Sequence, residues 1–181
     1  HEIAPTHAES PLQLTLAVAL LKGEKFGLVV QKTTELGVAE IMPVMTRHAD
    51  IHLRDASDAE KRVSRWKRIA MEAAKQCGRA VVPSINLPIS FESLRQEQGS
   101  SVRFMFSERG GVSLDEAFSQ SEPPYKMIAL IGSEGGWADE EMATASNNGW
   151  QVVTLGGRVV RAETAAIAVT ALLQNKWGDL K

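Results

Sequence analysis

Leu155-Gly-Gly-Arg-Val-Val-Arg-Ala-Glu-Thr-Ala165, read together with the upstream Gly132-Ser-Glu-Gly-Gly136, decides the fold of this chain. Each stretch follows an apolar run that reads as a strand, Val152 to Leu155 and Met127 to Ile131, and each leads into a helical pattern. Glycine has no Cβ and tolerates positive φ, so such loops let backbone amides and carbonyls approach a ligand closely. In an open α/β sheet, ligands bind outside the carboxyl ends of the strands. Two loops of this kind predict one pocket, with Arg158, Arg161, Glu163 and Glu134 beside it. The bland alternative is a pair of tight turns.

Outward from these loops the same alternation repeats. Leu12 to Leu21 alternates and then fills in with Ala17, Ala19 and Leu21, as expected of a strand buried on both faces. Glu24 to Leu36 places Phe26, Val29, Val30, Thr33 and Leu36 on one helical stripe, closed by Gly37. Ile41 to Met45 reads as a strand, and Asp58 to Gly78 as a long helix burying Val63, Trp66, Ala70, Ala73 and Cys77. Short helices are predicted at Phe91 to Gln98 and Ser113 to Ser119, around a strand at Val102 to Phe106. Asp139 to Asn147 carries three acids in its first turn, where the helix dipole favours them. The last helix, Glu163 to Trp177, is apolar almost all round, which places it in the core or in a subunit interface. The fold class is therefore α/β, a mostly parallel sheet with helices on both faces.

Composition sets the outer bounds. The 181 residues are 44% hydrophobic and 23% charged, with 20 Lys and Arg against 22 Asp and Glu, a net charge of −2. A nucleic-acid partner therefore requires basic residues to cluster locally. Cys77 is the one cysteine, so neither an internal disulfide nor a cysteine-based zinc site is available, which fits a reducing, cytoplasmic setting. No membrane span and no signal peptide are expected. The polar opening from His1 to Pro11 reads as the tail of something preceding it.

Other constellations carry two readings each. Lys61, Arg62, Arg65, Lys67 and Arg68 concentrate five cations within eight residues, either a solvated face laced with pairs such as Arg68–Glu72 or a patch for a phosphate backbone. Lys32 and Glu35 stand three apart on the first helix, as an ordinary surface pair would. His48 and His52 have helical spacing but no evident third ligand, so no metal is expected. Cys77 reads as packing. The loops spell neither G-x-G-x-x-G nor a P-loop, which disfavours a dinucleotide oxidoreductase.

Four motifs then occur in order: Gln31-Lys-Thr-Thr-Glu-Leu-Gly-Val38, Arg68-Ile-Ala-Met-Glu-Ala-Ala-Lys-Gln-Cys-Gly-Arg79 with Pro83, Gly132-Ser-Glu-Gly-Gly136, and Leu155 to Ala165. From Leu12 to the end the chain resembles the RsmE family of bacterial 16S rRNA methyltransferases, in the SPOUT superfamily. Ser133 departs from the family's usual proline. The resemblance implies a SPOUT domain over residues 12–181 with a deep C-terminal trefoil knot, an exception to the rule against threaded chains. Residues 1–11 would then be a linker or the remnant of an N-terminal PUA-like domain. It implies S-adenosylmethionine held by Ser107, Glu108, Ile131, Gly132, Glu134, Gly135, Leu155, Gly156, Val160, Arg161 and Ala162. It also implies a homodimer that methylates uridine N3 in the 16S rRNA of the small ribosomal subunit.

Uracil N3 keeps its proton near neutral pH, so the site must stabilise the anion or remove that proton. Arg161 is the candidate for charge stabilisation, and Glu134 or Glu163 for proton acceptance, with Glu163 alternatively capping the last helix. Lys32, Glu35, Arg65, Arg68, Gln76 and Arg79 are assigned to the RNA-facing side. A paired base must be extruded for N3 to be reached, and Trp137 is a candidate to stack on it or else a hydrophobic anchor. The rival functions are ribose 2′-O-methylation and a non-catalytic RNA-binding or assembly module.

Overall fold

In the computed structural model, residues 8–51, 53–94 and 102–181 are described. The elements in chain order are β1 (Gln13–Ala19), α1 (Lys25–Glu35), β2 (Glu40–Met45), α2 (Ala56–Cys77), β3 (Ser84–Ile85), β4 (Ile89–Ser90) and α3 (Phe91–Leu94). They continue with β5 (Val102–Phe106), β6 (Val112–Ser113), α4 (Leu114–Ser119), β7 (Lys126–Ile131), α5 (Asp139–Asn147), β8 (Gln151–Thr154) and α6 (Ala162–Trp177).

The strands form one sheet in the order β3-β2-β1-β7-β5-β8-β6, with β4 also pairing β2, and every named ladder is parallel. The period-2 alternation of β1 explains the layering. Leu14, Leu16 and Val18 join a core with Phe26, Val29 and Val30 of α1, Val63, Trp66 and Ala70 of α2, and Ala166, Val169 and Leu173 of α6. Ala17 points to the other side, into a second core with Phe91 and Leu94 of α3, Ala145 of α5, Met105, Leu130, Trp137 and Trp150. Helices therefore cover both faces, and the parallel strands send all their carboxyl ends to one edge.

Local signals fix the boundaries. Asp55 caps α2 by accepting from the Asp58 amide at 2.8 Å, so this helix starts at Ala56, ahead of the expected Asp58. Gly78 ends it at φ +78°, the left-handed conformation that a side chain would strain. Ser113 caps α4 through the Glu116 amide. The two-residue strands β3, β4 and β6 were not anticipated, being too short to show any periodicity. Residues 95–98 of the helix expected over Phe91 to Gln98 lie outside the described residues, as do residues 1–7 of the opening segment and His52.

Where the opening segment is described, it is tied to the domain. Ser10 donates to Gln174 Oε1 at 2.6 Å, and the fully buried Gln174 donates to the Gly37 carbonyl at 2.8 Å. Glu9 holds Arg79 at 2.6 Å. Among the described residues no helix is long and apolar enough to cross a membrane.

Candidate functional site

Strands β7, β5 and β8 are adjacent and parallel, so the loops that follow them meet at the same edge. They enclose a cavity of about 340 Å³, within the size range of small-molecule and cofactor sites. Ser107, Glu108, Ile131, Gly132, Glu134, Gly135, Leu155, Gly156, Val160, Arg161 and Ala162 all line it, joined by Trp137, Arg158 and Val159. Gly132 and Gly156, apart in sequence, thus share one wall-to-wall space.

The loop after β7 is heavily constrained. The Gly136 amide donates to Ser133 O at 3.0 Å, closing a tight turn with Gly136 at φ +68°. A Cβ on Gly135 would lie 2.8 Å from the His48 carbonyl, and a Cβ on Gly136 would lie 2.7 Å from Glu108 Oε1. His48 Nδ1 sits 3.2 Å from the Gly135 carbonyl, a contact between the two loops. The indole of Trp137 is buried against Gly132 and donates from Nε1 to the Phe106 carbonyl at 2.7 Å. Arg109 donates to the Trp137 carbonyl. Glu141, itself buried, accepts from the Ala138 and Arg47 amides, both at 3.0 Å, which fixes the start of α5 to the β2–α2 loop.

The loop after β8 is open by contrast. Gly156 has φ +102° and nothing within 4 Å of where a Cβ would lie. Its amide hydrogen bond runs to Thr154 Oγ1 at 3.3 Å. Val159 is 81% exposed, and Arg158 and Arg161 are exposed as well. Arg161 has extended backbone as the N-cap of α6 and makes no side-chain cap. Glu163 makes none either. It lies buried in the first turn of α6 as that turn's acid, with Oε2 unpartnered.

Charge converges on the rim. Lys25 Nζ at the start of α1 lies 2.8 Å from Glu134 Oε1. The hydrogen bond to Glu134 raises Lys25 above the ordinary lysine range against its partial burial, and the charges of Glu134 and Glu163 add to the rise while Arg161 opposes it. For Glu134 the largest influence is burial, which disfavours its charge. The hydrogen bond from Lys25, a backbone hydrogen bond and the Lys25 charge together outweigh that, and its carboxyl titrates below the usual range. This pairing makes Glu134 a weak proton acceptor. Lys25 was missed in the sequence because nothing local marks a lysine whose partner is 109 residues away.

The residues assigned to RNA separate into two groups. Lys32, Glu35, Arg65, Arg68 and Gln76 border one open groove between α1 and α2, which also includes Gln31 and Glu24. Arg65 pairs with Glu24, Lys32 with Glu35, and Glu72 with Lys75 in place of Arg68. Arg79 lies apart from this groove. Its half-buried guanidinium donates to the Thr34 and Val38 carbonyls at 2.8 and 2.9 Å and to Glu9, clamping the end of α1, and it lines a separate small cavity with Glu9, Glu35 and Gly37. Trp137 is buried with its N–H bonded to the Phe106 carbonyl, the arrangement of the hydrophobic-anchor alternative.

A family model described as an RNA methyltransferase domain matches residues 8–174. Ribosomal RNA small subunit methyltransferase E of Mesomycoplasma hyopneumoniae is 36% identical over 86% of this chain and 66% of that protein. A Neisseria gonorrhoeae ribosomal RNA small subunit methyltransferase E, crystallised with S-adenosyl methionine, superposes with a TM-score of 0.86 at 32% identity, over 96% of this chain and 70% of that one. The chain belongs to the RsmE family of RNA methyltransferases. A Legionella pneumophila methyltransferase bound to the same cofactor matches this RsmE-family domain with a TM-score of 0.88 and 34% identity, covering 95% of this chain and 69% of that one. The parallel sheet covered on both faces is the architecture these neighbours share. The chain spans about two thirds of the length of these relatives, at 66% and 70% of two of them.

Proposed function

We propose that this chain is the catalytic domain of an S-adenosylmethionine-dependent methyltransferase acting on uridine N3 in 16S rRNA of the small ribosomal subunit. The observation that carries this reading is the convergence of three strand-end loops on one cavity lined by the motif residues of an RsmE-family chain. The cavity suits the cofactor chemically. Glu108 and Glu134 offer carboxylates to a cationic ligand, Arg158 and Arg161 offer guanidiniums to a carboxylate, and the glycines expose backbone donors and acceptors. When bound, S-adenosylmethionine supplies an activated methyl group on a sulfonium.

The chain's own residues supply the rest. Arg161 stabilises negative charge developing on the uracil carbonyls. Glu134 or Glu163 takes up the proton: Glu134 lines the cavity and is paired with Lys25, and Glu163 follows the lining residue Ala162 with its Oε2 buried and unpartnered. The α1–α2 groove begins at the Glu24–Arg65 pair, next to Lys25 and hence beside the cavity, so RNA lying along it reaches the methyl donor. Shared lining by the loops after β7 and β8 fits a threaded C-terminal segment. Ile167, Ala168, Ala171 and the 43%-exposed Leu172 leave an apolar strip on α6, which supports a homodimer.

The test is methyl transfer from labelled S-adenosylmethionine to 16S rRNA and to small subunits, followed by nucleoside mass spectrometry. Methyl on the base is expected, and methyl on the ribose would instead favour 2′-O chemistry. Arg161→Ala should lower kcat by roughly 100-fold or more, the scale of one lost transition-state contact, while calorimetry still detects cofactor binding. Activity within a few fold of wild type would remove Arg161 from this role. No cofactor binding by the unaltered chain would turn the reading to a non-catalytic RNA-binding module.

A further inference from the structure

Lys25 belongs to none of the glycine-bearing loops, yet it is joined to the cavity wall through Glu134 at 2.8 Å. Its position is unfavourable for the helix it opens. It is the first residue of α1, where the helix dipole disfavours a cation, and that first turn contains no acid to offset it. Glu24, immediately before, turns away to Arg65 and makes no cap. Helix formation alone does not call for a lysine here. A carboxylate on the far loop does.

Resting on the reading of the cavity as a methyl-donor site, we infer that Lys25 is a positioning residue that balances the charge of Glu134 against the cationic donor. As the methyl passes to uracil N3, the sulfur keeps the electron pair of the broken bond and becomes a neutral thioether, and the N3 proton passes to a carboxylate of the site or to solvent water. Positive charge therefore leaves the sulfur along the reaction. An uncompensated carboxylate on the wall would stabilise the sulfonium more than the transition state, which tightens binding and slows transfer. Lys25 compensates that carboxylate from outside the cavity, with Arg161, Glu163 and Asp50 as the other charges facing the pair.

The consequence is a paired, opposite response in substrate-to-product selectivity. Calorimetry on the full chain with S-adenosylmethionine and, separately, S-adenosylhomocysteine reads it directly. Lys25→Met is expected to raise the ratio of the two affinities about five-fold in favour of the cation, the scale of one partly hydrated unit charge. It should also lower KM for the donor together with kcat. Glu134→Gln is expected to move the ratio the other way by a similar factor, because Lys25 then stands unopposed. The double variant should return near wild type. If Lys25→Met fails to fold, Glu134→Gln reads the same pair from its other side. Wild-type protein that binds neither ligand overturns the cofactor reading and this inference with it. Wild-type binding of both ligands, with a ratio that neither single variant shifts, overturns this inference alone.

Discussion

The two glycine-bearing walls of the cavity look alike in sequence and differ in how they are held. The wall after β7 is fastened from four directions: by Trp137 to the Phe106 carbonyl, by His48 against Gly135, by Lys25 to Glu134, and by Glu141 to Arg47 and Ala138. The wall after β8 has open space around Gly156 and Gly157 and an exposed Val159. Glycine is required on the first wall because neighbours leave no room, and at Gly156 because of a positive φ. One wall is preorganised by the protein, and the other waits for contacts from outside it. Preorganising one side lowers the ordering cost of binding, while the other side adapts.

The difference can be broken most forcefully at Trp137. Truncation to alanine should cost about 3–5 kcal/mol, as for a buried aromatic whose N–H is also bonded. Denaturant unfolding measures this, and a loss under about 1 kcal/mol would show that the indole does not anchor this wall.

Comparing two glycines sharpens the contrast. Gly135→Ala drives a Cβ into the His48 backbone at 2.8 Å and should cost about 1–3 kcal/mol. Gly156→Ala meets no atoms and pays for φ alone, about 1 kcal/mol. Thermal denaturation of both variants gives the order, and a larger loss at Gly156 would invert the picture of a fastened and an open wall.

The smallest effect is the pH response of the Lys25–Glu134 pair. Glu134 titrates below its ordinary range when folded, so its contribution is present at neutral pH and is lost as pH falls through the folded value. Lys25 titrates above its ordinary range, so its contribution is complete at neutral pH and is lost as pH rises through the folded value. The stability gap between wild type and Glu134→Gln should therefore be flat around neutrality and shrink in acid and in strong alkali. A gap that grows on acidification would contradict the pairing.

Much of this was legible in the chain itself. Leu14, Leu16 and Val18 alternate because a strand has period two, and that alternation survives as the two cores on either face of the sheet. The order of four motifs fixed the family, and glycine loops after apolar runs located the cavity, because backbone chemistry is written locally. The internal partners of Arg79 and Trp137 were not legible, for the opposite reason. A guanidinium on a basic helix and an aromatic beside a glycine turn look available until their partners are known, and the Thr34, Val38 and Phe106 carbonyls are supplied by distant segments.

What the sequence by itself determined is periodicity, turn chemistry and motif order, each a property of neighbouring residues. Only the tertiary structure decided which charges are spent internally. Lys25 and Glu134, or Arg79 and Glu9, meet because parallel strands deliver remote loops and helix ends to common edges. A hydrogen bond between remote residues leaves no periodic trace in the chain that encodes it.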